Sequence, residues 1–286
     1  MSNADKSKPD PDHLHERARL NMLDEELHAM PAELLELLHP TKLGADDRFQ
    51  FGCHPGVSCF NECCKNIEIV LTPYDMVRLR NRLEVDAETF LHDYATPMTL
   101  PKGKLPIVII RMDPESGRCP FNSDAGCSVY SDRPAACRNY PVCMALTHKD
   151  DAHSKPESVV IHETFCQGHQ EPGQWTVAEW RKDQGADGYD ARNQGWMDII
   201  VRRRGQEGEL SSGLQGLLEL FFTAGANPAE FRKFVFQSSF LSRYQLDPDT
   251  EARIRHNDEA LMEFAFQWLN GALFGDQEQP ESEGDA

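Results

Sequence analysis

The sequence predicts an α+β chain that is mainly α: an irregular, cysteine-rich core with a few short strands, followed by a helical C-terminal half. All nine cysteines lie between Cys53 and Cys166, and none follows. Leu214, Leu217, Leu218, Phe221 and Phe222 recur at i, i+3, i+4, i+7 and i+8, the spacing of one helix face. Runs rich in β-branched residues are short, as in Pro106-Ile-Val-Ile-Ile-Arg-Met112.

Five stretches follow in order. Residues 1–12 are charged, contain proline and lack large apolar side chains, the composition of a disordered tail. Residues 13–45 read as N-terminal helices, with Pro31 in the first turn of a segment whose face is Leu34, Leu35, Leu37 and Leu38. Residues 46–170 form the cysteine domain. In it, Ile67–Leu71 reads as a short strand, and Thr72-Pro73-Tyr74-Asp75 opens a helix with a cap, a first-turn proline and a capping-box acid. Met76, Leu79 and Leu83 share one face of that helix. A second helix from near Asp86 buries Phe90, Leu91 and Tyr94. Residues 106–112 are a buried strand, and the turn Asp113–Gly117 delivers the chain to Cys119. A polar loop from His148 to Pro156 leads into a strand at Val159–Ile161.

Residues 171–275 read as purely helical. Thr176 and Glu179 make a capping box. The helix from Asp187 ends in Arg202, Arg203 and Arg204, cations that complement its C-terminal dipole. A polar linker at 205–213 precedes the 214–222 stripe. Pro228 opens another helix, and Leu261, Phe264, Ala265, Trp268 and Leu269 mark the last. These aromatic stripes read as packing surfaces. Residues 276–286 form an acidic disordered tail.

The formal charge is −18 and the pI about 5.0. That balance disfavours nucleic acid and anionic membrane surfaces, which need clustered Lys and Arg. No signal-peptide core and no membrane-length apolar run is present, so the expected location is cytoplasmic, where thiols stay reduced. A disulfide scaffold fits poorly: nine is odd, and neighbours Cys63 and Cys64 could pair only through a strained ring.

Dense thiols in such a chain point to a chelated metal, with Cys53, Cys59, Cys63, Cys64, Cys119, Cys127, Cys137, Cys143 and Cys166 as candidate ligands. The gaps between successive cysteines are 5, 3, 0, 54, 7, 9, 5 and 22 residues. No Cys-x-x-Cys pair of the zinc-knuckle kind occurs, and looser spacing suits the larger iron–sulfur cluster, which is favoured here over zinc. Nine cysteines suffice for two four-ligand sites with one to spare, or for one site plus structural thiols. Side chains of Cys63 and Cys64 are expected to diverge, so both on one small ion is difficult. Cys64 and Cys166 are the expected spares. His54 and His169 lie near cysteines but read as surface imidazoles.

The run Cys53…Cys59-x-x-x-Cys63-Cys64, then Leu71-Thr-Pro-Tyr-Asp75, then Cys119 through Cys127, Tyr130, Arg133-Pro134, Cys137-Arg138 and Tyr140-Pro141, resembles the YkgJ-type cysteine-cluster family. That family is described by a CxxCxxCC motif and a zinc- or iron-chelating domain. The likeness covers roughly residues 49–170, with spacings of 5 and 3 where the motif has 2 and 2. It implies a metal centre and, if the centre is catalytic, an iron–sulfur oxidoreductase. Two alternatives stand beside it: a zinc-stabilised, non-catalytic interaction module in which the cysteines supply folding energy, and, from the resemblance, a protein-modifying enzyme related to the flagellin lysine methylase. The expected partner is a protein or a small molecule.

Arg133 and Arg138 stand among the cysteines, where they can bond to sulfur, neutralise a thiolate-rich centre or hold an anionic substrate; support of the centre is favoured over substrate contact. No Gly-rich nucleotide loop, radical-type Cys-x-x-x-Cys-x-x-Cys triad, nucleophile elbow, Walker loop or His-Glu-x-x-His helix is present.

Overall fold

The computed structural model describes residues 38–44, 46–100, 103–145, 157–204, 206 and 211–275. The expectations for the N-terminal tail, for most of the N-terminal helices, for the 148–156 loop, for most of the linker and for the acidic tail lie outside the described residues.

The strands are β1 (Thr41–Leu43), β2 (Arg48–Gln50), β3 (Val70–Leu71), β4 (Ala95–Thr99), β5 (Pro106–Ile110), β6 (Asn122–Ser123), β7 (Gly126–Cys127), β8 (Val142–Ala145), β9 (Glu157–Val160) and β10 (Gln174–Thr176). The helices are α1 (Pro73–Leu83), α2 (Ala87–Tyr94), α3 (Ala135–Asn139), α4 (Val177–Gln184), α5 (Ala186–Arg204), α6 (Ser212–Ala226), α7 (Pro228–Gln237), α8 (Phe240–Arg243), α9 (Pro248–His256) and α10 (Asp258–Phe274). The fold class is α+β and mainly helical, as expected, with short strands in small sheets and a helical C-terminal half.

Two compact units arise, and they do not follow a single cut in the chain. Described residues up to 71, with 94–96 and 109–189, form unit 1; residues 72–93, 97–108 and those from 190 onward form unit 2.

Unit 1 contains every cysteine. Its antiparallel sheet has the order β1-β9-β8, with Thr41 opposite Val160 and Cys143 opposite Val159. A separate pair, β2 and β10, sets Phe49 opposite Trp175. Phe49, Phe51, Val142, Val160, Val177 and Trp180 form its buried core, and Tyr140 and Cys166 pack against them. The rings meet edge to face, Phe51 with Trp180 at 5.4 Å and with Tyr140 at 5.8 Å between centroids, the geometry that ring quadrupoles favour. The Trp180 indole N–H donates to the Asn139 carbonyl at 3.0 Å, so its polar end is also satisfied.

Unit 2 is built on helices. The capping box at the start of α1 forms as its sequence predicts: the Thr72 N–H donates to Asp75 Oδ2 at 2.9 Å, and the Asp75 N–H to Thr72 Oγ1 at 3.2 Å. Both residues are buried, so the box satisfies donors that water cannot reach. The aromatic stripes pack: Trp196 stacks on Phe221, and Phe221 meets Phe266 edge on at 5.7 Å. Trp268 gathers Phe231, Phe234 and Phe240. Asp258 joins Arg80 and Arg232 at 3.5 and 2.6 Å. The arginine triplet does end α5; Arg202 bonds Asn270 and lies over the Phe274 ring.

Several expectations change. Thr41–Leu43, in the 13–45 stretch read as helices, is strand β1, and the strand expected over 106–112 ends at Ile110. The strand at 67–71 shortens to Val70–Leu71. The stretch from 171 is not purely helical, because β10 opens it. Of the side chains assigned to α2, Phe90 is buried while Leu91 and Tyr94 are half-buried. Strands of two or three residues complete no more than one alternation, so periodicity cannot register them. Substituting Thr72→Ala should lower stability by about 1 kcal/mol, read as a lower urea midpoint; an unshifted midpoint would contradict the capping role.

Candidate metal centre

Three segments of unit 1 deliver the thiols. The first is the turn after Phe51. Backbone bonds Val57→His54, Phe60→Val57, Glu62→Cys59 and Cys64→Asn61 coil residues 54–64 tightly, and Asn61 takes the left-handed conformation that Asn tolerates. Residues Glu62–Cys64 form a 3₁₀ turn. There the sulfurs of Cys63 and Cys64 lie 4.0 Å apart. The expected divergence of this pair is therefore corrected: the two sulfurs lie within contact distance. Four thiolates about 2.3 Å from a tetrahedral ion are separated by about 3.8 Å, close to the observed spacing.

The second segment is the β6–β7 hairpin, latched directly to that turn. The Cys119 N–H donates to the Cys64 carbonyl at 2.9 Å, and the Asn66 N–H to the Gly117 carbonyl at 2.8 Å. Asn61 and Asn122 add side-chain bonds to Ser123 and Asn61 carbonyls. Gly117 is required here: its φ is +68°, and a Cβ would meet Asn66 Oδ1 at 1.9 Å. The hairpin register sets Asn122 opposite Cys127, so Cys119 and Cys127 stay on the same small element.

The third is the strap from Glu163 to Gly173. The Gly52 N–H donates to the Gly168 carbonyl and the Phe51 N–H to the Gly173 carbonyl, both at 2.9 Å. A Cβ on Gly168 would meet the Gly52 carbonyl oxygen at 2.7 Å, so only glycine permits this approach. The strap's Gln167 N–H then donates to Cys59 Sγ at 3.1 Å, holding Cys166 beside the first turn. Tyr140 donates its hydroxyl to the buried Glu163 at 2.9 Å. Sequence reasoning missed Glu163 and Gln167 as neighbours of the cysteines, because a backbone donor and a distant carboxylate carry no motif.

Electrostatics confirm which thiols are neighbours. Cys53 is exposed as a residue, yet desolvation around its sulfur, then Cys63, Cys59 and Cys166, pushes its thiol up to about 11. Burial drives Cys119 up to about 11, with Cys127 and Cys63 adding to it. Burial also raises Cys127, again with Cys63 contributing. Burial raises Cys166, with Cys59 and Glu163 adding to it. Cys143 differs: burial and then Glu163 alone push it up to about 12. Thus Cys59, Cys63 and Cys166 all act on Cys53, Cys59 acts on Cys166, and Cys63 acts on Cys119 and Cys127 as well. Cys166, expected as a spare, lies near Cys53 and Cys59, whereas Cys143 answers to Glu163. No two cysteines are joined by a disulfide. Among the described residues, no three His, Cys, Asp or Glu side chains already close around one point.

The two arginines differ. Arg133 donates to the Tyr130 carbonyl at 2.6 Å and to Gln184 Oε1, and its guanidinium lies 3.9 Å from the Tyr130 ring centroid. Burial lowers its pKa, while Tyr130 and the Cys137 and Cys127 thiolates favour its charge. Arg138 is committed to structure, donating to the Gln184 and Ser131 carbonyls at 2.6 Å and to the Tyr189 hydroxyl at 3.0 Å. The imidazoles differ: His54 is bonded at both ring nitrogens, whereas His169 Nε2 is buried without a partner. His54 accepts from the Gly56 N–H and pairs through Nε2 with Glu171 at 3.0 Å. His169 is half-buried rather than superficial, with Nδ1 donating to the Gln50 carbonyl at 3.3 Å.

Residues 52–167 match the CxxCxxCC family model, described as "Putative zinc- or iron-chelating domain". The matched stretch includes every cysteine. No curated protein and no solved structure matches the chain. No helix among the described residues is long and apolar enough to cross a membrane.

The raised thiols set a pH dependence. An unfolded cysteine ionises near 8.5, but Cys53 and Cys119 stay protonated in the folded chain to about 11. Their contribution to stability is complete below the unfolded value and is lost as pH rises through the folded one. The urea midpoint of metal-free protein should fall steadily between pH 9 and pH 11; a midpoint constant over that window would contradict the raised thiols.

Proposed function

We propose that unit 1 is a metal-chelating module in which clustered thiolates from three chain segments hold a Cys-ligated zinc or iron centre. The observation that carries this reading is the gathering of Cys53, Cys59, Cys63 and Cys166 from opposite ends of a stretch that matches a chelating-domain family. Thiolate sulfur is a soft donor that suits zinc and iron–sulfur centres and does not suit magnesium or calcium. The raised thiols agree with it, since a cation beside them supplies the charge that the protein lacks, and binding releases their protons.

Within that reading an iron–sulfur centre is preferred, because no Cys-x-x-Cys turn presents a pair of sulfurs to one small ion. Such a centre supplies one-electron chemistry when bound. The protein's part is to aim an N–H at Cys59, pack Cys166 against the Phe51 and Trp180 core, and set Arg133 beside Cys127 and Cys137. The zinc-stabilised interaction module is the second reading, favoured by the 4.0 Å spacing of Cys63 and Cys64. A cytoplasmic location belongs to the same proposal, because it keeps these thiols reduced.

Metal and acid-labile sulfide analysis on protein purified without oxygen tests the reading. Iron with near-equal sulfide and a brown charge-transfer band is the expected result. Stoichiometric zinc in colourless protein would replace the iron–sulfur reading with the structural one, and protein with neither metal would overturn chelation itself.

A further inference from the structure

We propose that Cys63 and Cys64 form a redox switch on the metal centre: two thiols able to ligate a metal when reduced, and a disulfide between chain neighbours when oxidised. The consequence for the metal rests on the chelating reading above; the pairing itself does not. The two sulfurs lie 4.0 Å apart, with one thiol in position to donate to the other. Their turn is pinned on both sides. The Glu62 N–H donates to the Cys59 carbonyl and the Cys64 N–H to the Asn61 carbonyl, while the Cys119 N–H holds the Cys64 carbonyl at 2.9 Å. Lys65 bonds back across the turn to Glu62 Oε1 at 2.7 Å. Both cysteines are half-buried rather than buried, which leaves the turn open to a small oxidant.

The oxidant is a hydroperoxide. One thiolate of the pair attacks its outer oxygen, the O–O bond breaks, an alcohol or water leaves, and the sulfur becomes a sulfenic acid. The neighbouring thiol then attacks that sulfur, the S–O bond breaks, water leaves and the S–S bond forms. Two electrons pass from the sulfurs to the peroxide, and both thiol protons end in the products. Adjacent Cα atoms are about 3.8 Å apart across a trans peptide, short of the roughly 4.4–6.8 Å that ordinary disulfides span. The bridge is therefore strained and readily reduced, the character of a switch rather than of a structural staple. Metal ligation needs the thiolate, so closing the bridge removes two candidate ligands at once.

Peptide mapping of the metal-free full chain tests the pairing. After one equivalent of hydrogen peroxide, free thiols are capped with N-ethylmaleimide and the chain is cleaved after glutamate without reductant. Cuts at Glu62 and Glu68 release Cys63–Glu68, which holds this pair and no other cysteine. The expected peptide is two hydrogens lighter than its reduced form, carries no maleimide and recovers both thiols with dithiothreitol. Two maleimides on it, or a bridge from it to another cysteine peptide, would overturn the switch and leave chelation standing. Zinc, which peroxide does not oxidise, tests the consequence: the zinc-loaded chain should release its metal in proportion to the bridged peptide. Bridged peptide with zinc retained would overturn control of the centre. A chain that takes up no zinc would overturn the chelating reading, while the pairing would still stand or fall on the metal-free peptide.

Discussion

Thiols gathered in a protein interior resist ionisation, and any thiolates they form repel one another; unit 1 is arranged around that constraint. Cys53 and Cys119 both sit far above the ordinary thiol range, Cys53 with three sulfur neighbours and Cys119 with two. Without a cation, burial favours the protonated form of Cys53 and Cys119. A cation reverses the balance, because it favours the thiolate form at each sulfur it contacts. On the proposed reading, folding and chelation in unit 1 are therefore linked.

That constraint accounts for the irregular backbone. Regular sheets would spread side chains over two faces, whereas the cluster needs sulfurs from distant segments to converge. Unit 1 uses tight turns and backbone latches instead: the coil at 54–64, the hairpin fixed through Cys119 and the strap fixed through Gly168. Glycines matter where backbones touch, as at Gly117 and Gly168. The aromatic core of Phe49, Phe51 and Trp180 supplies the apolar burial that the short strands lack, and Cys166 packs directly on it. Unit 2 owes its stability to ordinary helix packing and caps.

The sequence makes the parts with strong local chemistry legible. The boxes at Thr72 and Thr176 and the 3.6-residue stripes of α6 and α10 all follow from short-range patterns, and they form. The cysteines are equally visible as a group. Which chain segments meet around them was not legible, because it depends on contacts such as Gln167 with Cys59, 108 residues apart in the chain. Arg138 shows the same limit: its neighbours Cys137 and Tyr140 suggest a role at sulfur, but its guanidinium is spent on the Gln184 and Ser131 carbonyls. Short strands such as β2 and β6 left no periodic trace, since pairing with distant segments defines them.

X-ray absorption at the metal edge of the protein as isolated tests the central claim most directly. Chelation by the clustered cysteines predicts a first shell of sulfur alone, at about 2.3 Å for a tetrahedral thiolate site. A first shell of nitrogen and oxygen would contradict it, because the ion would then sit away from the thiols that organise unit 1.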